Sequence, residues 1–224
     1  QACQNERRLD EKVPQKENGT RDVSTRGNTQ YALIIGIDQY QYADGNSLIN
    51  LEGAVNDAKL LRDALRRQKV QVPDKRVLLN AQATRAAFIR AWQEMVKQAK
   101  PGDTLIFTFA GHGGQQADVE PLDEKDGKDE TIMFHDFNPN KPTQGRILDE
   151  ELYGIFKKAS DYNILFIADA CHSSGLVRTL ARPWRHVRTG GFWKIEPDAP
   201  PPFPPLPTQS DNAPLPAHVT LITG

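Results

Sequence analysis

Five short runs of apolar residues recur along the chain, and their pattern predicts its fold. Each run has only three to six residues, mostly Val, Ile, Leu, Phe and Ala, which is too short for a helix. A continuous apolar run of this length is expected for a strand that is covered on both faces, as in a parallel sheet. The predicted strands occupy residues 32–37, 77–79, 104–109, 131–134 and 163–168.

Amphipathic helices are predicted between these strands, because apolar residues there recur every three or four positions. The two clearest apolar faces comprise Leu51, Ala54, Val55, Ala58, Leu61 and Leu65, and then Phe88, Ala91, Trp92, Val96 and Ala99. Thr84 is the predicted N-cap of the second helix, and Pro101 and Gly102 end it. A third helix is predicted over residues 147–158, opened by Asp149. The alternation of strands and helices predicts an α/β fold whose mostly parallel sheet has helices on both faces.

The two ends of the chain differ in composition from its centre. Residues 1–29 are almost devoid of large apolar side chains, which predicts a flexible polar leader or linker. Residues 181–217 are rich in Arg and Pro, which favours an extended, exposed linker. Residues 218–224 predict the first strand of a further piece. We therefore expect a folded unit over residues 30–180 and a C-terminal part that the chain lacks.

Charge and cysteine usage argue against several classes of protein. The 28 basic and 29 acidic residues are interleaved, so we expect no binding of nucleic acid. No apolar run approaches the roughly 20 residues of a membrane-spanning helix, so we expect no insertion into a membrane. The two cysteines, Cys3 and Cys171, lie far apart in the sequence. This spacing argues against a structural disulfide and favours a reducing compartment, which predicts a cytoplasmic protein.

Two of the predicted strands are followed by a reactive residue at the same distance. Phe109 is followed by Ala-Gly-His-Gly-Gly, and Ala168 is followed by Asp-Ala-Cys-His-Ser-Ser-Gly. His112 and Cys171 are therefore each three positions beyond a strand. The C-terminal ends of parallel strands form the ligand-binding edge of an open sheet. If the strands are neighbours, the two side chains meet there although 59 positions (171 − 112) separate them.

His112 and Cys171 have the chemistry of a catalytic dyad. A free thiol has a pKa of about 8.5, so a neighbouring imidazole that removes its proton makes a stronger nucleophile. His112 can later return this proton to a leaving amine. The backbone amides of Gly113 and Cys171 are the expected oxyanion hole for a tetrahedral intermediate. These residues predict a cysteine endopeptidase.

Other interpretations of the same residues exist. The main alternative is a catalytically silent scaffold that binds partners through its surface and its Pro-rich segment, although such proteins usually lose the nucleophile or the base. A serine hydrolase that uses Ser173 or Ser174 would need a Gly-x-Ser-x-Gly turn, which the sequence lacks here. A metal site formed by His112, Cys171 and His172 lacks the usual paired spacing of ligands.

Several segments resemble one protein family in both order and spacing. The segments comprise residues 31–38, Asn56-Asp57, residues 109–113 and residues 169–173. They are similar to those of metacaspases and their bacterial caspase-like relatives. The resemblance covers residue 31 to about residue 180 and implies the caspase-like three-layer α/β/α sandwich. In that family, residues 30–180 would form the large-subunit catalytic domain, and residues 218–224 would begin the small-subunit-like part.

The resemblance also implies a substrate and a mode of activation. The two acids of the family's S1 pocket fall on Asp57 and Asp169, where a carboxylate can bind a guanidinium group. This implies cleavage of protein substrates after Arg or Lys, not after Asp, with no required cofactor. It further implies a zymogen, a small-subunit-like C-terminal fragment as partner, and a role in programmed cell death. Four arginines in or beside the linker would suit self-processing by such an enzyme: Arg178, Arg182, Arg185 and Arg188.

Residues 123–130 form an acidic segment that could be interpreted as a Ca²⁺-binding loop. It is not an EF-hand, because the first and twelfth positions of such a loop would fall on Leu122 and Met133. The resemblance to metacaspases implies Ca²⁺ ligands at Asp129, Asp149 and Glu150. A further acid of the family pattern corresponds to Arg178, whose guanidinium cannot ligate a cation. A calcium site and a solvated acidic loop are therefore both open interpretations.

Overall fold

The computed structural model describes residues 29–117, 128–170, 189–193 and 216–223. Strands and helices alternate along most of this length, as the apolar pattern predicts. The elements are β1 Gln30–Gly36, α1 Ala54–Arg67, β2 Val77–Leu79, α2 Arg85–Gln98, β3 Thr104–Ala110, β4 Gly113–Ala117, β5 Lys128–Met133, β6 Arg146–Leu148, α3 Asp149–Lys157, β7 Asn163–Asp169, β8 Thr189–Trp193 and β9 Val219–Thr223.

The central sheet has five strands in the order β2-β1-β3-β7-β9, and all of its neighbouring strands are parallel. β1 and β3 are almost completely buried, which explains why their sequences are continuously apolar and not alternating. β3 and β7 pair from Thr104 opposite Asn163 to Ala110 opposite Asp169. The two strands whose ends carry His112 and precede Cys171 are therefore direct neighbours in the sheet.

Helices cover both faces of this sheet, which confirms the predicted α/β architecture. On one face, Ala58 of α1 packs in a cluster with Ala32, Ile34 and Ile106. On the other face, α2 and α3 enclose a larger core in which the rings of Phe107 and Phe166 stack 4.8 Å apart and nearly parallel. No helix within the described ranges is long and apolar enough to span a membrane.

Helix α1 begins at Ala54, three residues later than the first residue of its predicted apolar face. The reason is a cap supplied by Asp38, which lies two residues beyond the end of β1. The Asp38 carboxylate accepts hydrogen bonds from the backbone N–H groups of Ala54 (2.8 Å) and Val55 (3.2 Å), which satisfies two free donors of the helix start. Gly53 precedes the helix with a φ of 103°, a conformation that favours glycine.

The structure also contains a second sheet, of which the apolar pattern predicted only the strand at residues 131–134, which overlaps β5. It has four strands in the order β6-β5-β4-β8. Ile147 and Leu148 belong to β6, so the prediction that α3 begins at residue 147 was wrong, and Asp149 is the first residue of the helix. β8 lies inside the segment predicted as a linker and pairs in parallel with β4.

Candidate active site

His112 lies directly beyond β3, and three backbone or hydroxyl groups surround it. Its side chain is only 1% exposed. Its backbone N–H donates to the hydroxyl of Tyr40 at 2.6 Å, and its carbonyl accepts from the N–H of Met133 at 2.9 Å. Its ring atom Nε2 lies 2.8 Å from the carbonyl oxygen of Ile49. Both the backbone and the ring of His112 are therefore fixed by neighbouring elements.

The contact with Ile49 determines which nitrogen of His112 can act as a base. A carbonyl oxygen can only accept a hydrogen bond, so Nε2 must carry the proton that the 2.8 Å contact requires. In the neutral ring, the lone pair then lies on Nδ1. Nδ1 is therefore the atom of His112 that can accept a proton from a nucleophile.

The ends of β3 and β7 run level with each other. Ala110 pairs with Asp169, and the N–H of Gly111 donates to the Asp169 carbonyl at 3.2 Å. His112 is two positions beyond Ala110, and residue 171 is two positions beyond Asp169. Cys171 itself lies outside the described residues, as do His172, Ser173 and Ser174. The described range 128–170 thus ends one residue before the predicted nucleophile, at the buried Ala170.

Gly113, a predicted oxyanion-hole residue, follows His112 as the first residue of β4. It is buried and lies opposite Ile132 of β5 on one side and Thr189 of β8 on the other. The neighbouring carbonyl of His112 is tied to β5 by Met133. The second sheet therefore holds the backbone that follows the histidine.

The two predicted S1 acids occupy different elements. Asp57 lies in the first turn of α1, where its N–H donates to the carbonyl of Gly53 at 2.9 Å. Asp169 is the last residue of β7. Both side chains are partly buried. β7 places Asp169 at the same sheet edge as His112, and Asp38 fixes the start of the helix that carries Asp57.

The predicted calcium ligands lie in a buried acidic cluster that comprises Asp129, Glu130, Asp149 and Glu150. Asp129 and Glu130 lie on β5, are 1% and 3% exposed, and accept hydrogen bonds from Gln116 and Gln115 of β4 at 3.0 and 3.2 Å. Asp149 and Glu150 open α3. The cluster lies between the second sheet and the start of that helix.

The pKa of the Asp149 carboxyl group is raised within the acidic cluster. Burial, followed by repulsion from Glu150 and a hydrogen bond with it, raises the pKa of Asp149 well above its ordinary value of 3.8. Oδ1 of Asp149 is buried and has no hydrogen-bond partner within the described part of the chain. Among the described residues, however, no three His, Cys, Asp or Glu side chains have an arrangement that could hold a metal ion. The cluster therefore fits a cation only in part.

The four arginines predicted as processing sites lie outside the described residues. Sequence reasoning overlooked two contributors to the site, Tyr40 and the carbonyl of Ile49. Both lie in the loop between β1 and α1, and no motif marks them. The signal that could have found them is that this loop contains several large side chains, among them Tyr40, Leu48 and Ile49.

Comparison with known proteins decides the family. Residues 30–180 match the family model described as metacaspase, peptidase C14 domain. The chain belongs to the metacaspase family. This confirms the resemblance deduced from the residues around Asp57, His112 and Cys171, and the family is one of cysteine peptidases.

Curated relatives agree with this assignment. Metacaspase-1A of Aspergillus oryzae is 35% identical over 154 residues, which cover 65% of this chain and 34% of the relative. Metacaspase-1 of Saccharomyces cerevisiae is 37% identical over 151 residues, which cover 63% of this chain and 33% of the relative. The chain therefore matches only about a third of the length of these metacaspases.

A solved structure shares the fold. The crystal structure of protein GSU0716 from Geobacter sulfurreducens superimposes with a TM-score of 0.52 at 24% identity, covering 72% of this chain and 57% of that one. This likeness supports the α/β architecture of the metacaspase domain.

Proposed function

We propose that this metacaspase chain carries the catalytic dyad of an endopeptidase that cleaves proteins after Arg or Lys. Cys171 is the nucleophile and His112 is its base. One observation supports this proposal above the others. Nε2 of His112 contacts the Ile49 carbonyl, so the lone pair that can accept a proton lies on Nδ1, and the strand that leads to Cys171 is the direct neighbour of β3.

The reaction would proceed in two stages. The Cys171 thiol gives its proton to Nδ1 of His112, and the sulfur attacks the scissile carbonyl carbon. The amides of Gly113 and Cys171 stabilise the resulting oxyanion. The intermediate then expels the amine, which takes the proton from Nδ1, and leaves a thioester on Cys171. A water molecule activated by His112 hydrolyses this thioester and regenerates the thiol.

The dyad is tested by labelling with an arginyl chloromethyl ketone and mapping the modified residue. Modification of Cys171 that His112→Ala strongly slows would support both roles. No modification of the intact chain would favour the alternative of a catalytically silent scaffold. A panel of peptides that differ only at P1 tests specificity, and equal or faster turnover of an Asp substrate would contradict the preference for Arg and Lys.

Asp57 and Asp169 are proposed to bind the basic P1 side chain. A bidentate pair between a carboxylate and a guanidinium group is charge-assisted and directional. Asp57→Asn should therefore raise KM for an Arg substrate and lessen the discrimination against a neutral P1 residue. Glu52→Gln, an exposed acid just before α1, is the matched control and should leave KM unchanged.

Self-processing is proposed for the segment that contains Arg178, Arg182, Arg185 and Arg188. A protease with a basic P1 preference can cut an accessible arginine near its own site. Fragments of purified chain should end at these residues and should disappear in Cys171→Ala. Fragmentation that persists in this variant would assign the cuts to another protease. A small-subunit-like fragment remains the proposed partner.

Ca²⁺ is proposed as a ligand of the acidic cluster on the strength of one observation, the buried and partnerless Oδ1 of Asp149 within the described residues. Hard oxygen donors of this kind suit Ca²⁺. Millimolar Ca²⁺ should raise the melting temperature of the wild-type chain, and Asp149→Asn should abolish this increase. An equal increase in both proteins would contradict a site at Asp149.

A further inference from the structure

Tyr40 connects the loop between β1 and α1 to the backbone of His112. It is 4% exposed, and its ring centroid lies 4.8 Å from that of the imidazole at an interplanar angle of 43°. Its hydroxyl accepts from the backbone N–H of His112 at 2.6 Å and lies 3.5 Å from the carbonyl oxygen of Met133. A single side chain thus contacts both the ring and the backbone of the predicted base.

These contacts close a small ring of backbone interactions. The N–H of His112 donates to Tyr40, the Tyr40 hydroxyl faces the Met133 carbonyl, and the N–H of Met133 donates to the His112 carbonyl at 2.9 Å. Both polar backbone groups of His112 are therefore fixed. Without the hydroxyl, the N–H of His112 would lose its 2.6 Å acceptor in a buried environment, which is energetically unfavourable.

The same loop also orients the imidazole. Ile49, whose carbonyl binds Nε2, is joined to Tyr40 through its neighbour Asn50, because Oδ1 of Asn50 accepts from the N–H of Tyr40 at 2.9 Å. The loop is further closed by the N–H of Leu51, which donates to the Asp38 carbonyl at 2.7 Å. A displacement of Tyr40 would therefore move the Ile49 carbonyl that contacts the imidazole, as well as the backbone of His112.

Gly111 gives independent evidence that Tyr40 packs closely against the backbone at His112. A Cβ atom at Gly111 would lie 2.9 Å from the Tyr40 hydroxyl and 3.0 Å from the ring of Phe109. Both distances are below ordinary van der Waals contact. A side chain at position 111 would force Tyr40 away from His112, so the glycine is compatible with this approach and larger residues are not.

We propose that Tyr40 is a positioning residue for His112, and that the Tyr40 hydroxyl and ring hold the imidazole in the orientation in which Nδ1 is the proton acceptor. This role rests on the proposed dyad of Cys171 and His112. It assigns to Tyr40 an effect on the proton transfer and not on the binding of substrate. Replacing it should therefore lower kcat and leave KM almost unchanged.

The test measures alkylation of Cys171 by iodoacetamide as a function of pH, in a Cys3→Ser background, with the modified residue identified by mass spectrometry. Alkylation reports the thiolate and requires no peptide substrate. In Tyr40→Phe, the rate at pH 7 should fall roughly three- to tenfold, the effect of one neutral hydrogen bond, and the profile should shift toward the pKa of about 8.5 of a free thiol.

Tyr42→Phe is the matched control, because its hydroxyl makes no hydrogen bond within the described part of the chain and it lies in the same loop. Asn50→Ala should act in the same direction as Tyr40→Phe, whereas Asn50→Asp keeps an acceptor oxygen and should restore the wild-type profile. Asn50 is exposed, so these variants test the role even if Tyr40→Phe folds poorly.

The outcomes separate this role from the dyad on which it rests. A profile that depends on His112 but is the same in the wild type, Tyr40→Phe and Asn50→Ala would overturn the role of Tyr40 alone. A wild-type profile that His112→Ala leaves unchanged would overturn the dyad and, with it, the role of Tyr40.

Discussion

The close contact between β1 and α1 at Gly36 yields a quantitative prediction for Gly36→Ala. The new Cβ atom would lie 2.5 Å from the Cβ of Ala58, 2.8 Å from the carbonyl oxygen of Ala54 and 3.2 Å from the Cα of Val55. Ordinary contact begins at 3.4 Å, so α1 would have to retreat by about 0.9 Å at Ala58. Overpacking of this kind destabilises a protein by about 1–3 kcal/mol.

Thermal unfolding followed by circular dichroism measures this effect directly. In a chain of this size, 1 kcal/mol corresponds to about 2–4 °C, so Gly36→Ala should lower the melting temperature by roughly 2–12 °C. Ala58→Gly removes the closest contact, and Gly36→Ala should therefore cost less in that background than in the wild type. Equal costs in the two backgrounds, or an unchanged melting temperature, would refute the reasoning. Because α1 carries Asp57, the single variant should also raise KM for an Arg substrate.

Three further predictions concern the supports of the site. Glu151→Ala removes the buried carboxylate that lies 2.9 Å from the Arg85 guanidinium, and it should lower the free energy of unfolding by about 3–5 kcal/mol. Urea unfolding measures this change, and a decrease below about 1 kcal/mol would contradict it. Thr84→Ala should lower the free energy of unfolding by about 1 kcal/mol and Thr84→Ser by much less, since the Thr84 hydroxyl caps α2. Equal decreases in the two variants would exclude the cap. Hydrogen bonds from the backbone amides of residues 46–48 lower the pKa of Asp44 below its ordinary value of 3.8. Amide protection at these residues should therefore persist at pH 3.8 and be lost only as the pH falls through the lowered pKa, and a midpoint of loss at or above pH 3.8 would contradict this.

The centre of the main sheet could be predicted from the sequence because β1 and β3 are buried on both faces. Residues such as Leu33 and Ile34 point to opposite sides, yet both are fully buried, so the run contains no polar residue. The position of His112 followed from this sheet. Its proximity to Cys171 stays a prediction, which rests on β3 and β7 being neighbours, and the two strands do pair.

The second sheet could be predicted only in part, because an apolar run marked residues 131–134, which overlap β5, whereas β4 lacks an apolar pattern. β4 reads Gly-Gly-Gln-Gln-Ala, and its pairing with β5 is supported by hydrogen bonds from the side chains of Gln115 and Gln116 to acids on β5. Such contacts leave no periodicity in the sequence. Tyr40 was missed for a similar reason, since its partner His112 lies 72 residues away.

Because β9 pairs in parallel with β7, a cut in the chain between these two strands would change how β9 is held in the sheet. Five register pairs join the strands, from Ile164 opposite Val219 to Ala168 opposite Thr223, and Nε2 of His218 lies 3.0 Å from the carbonyl of Phe156. In the intact chain, covalent linkage gives β9 a high effective concentration at this edge. After cleavage, the same contacts would form an interface between two polypeptides, so occupancy of the edge would depend on protein concentration. Dilution would then become a way to remove β9 from the strand that leads to Cys171.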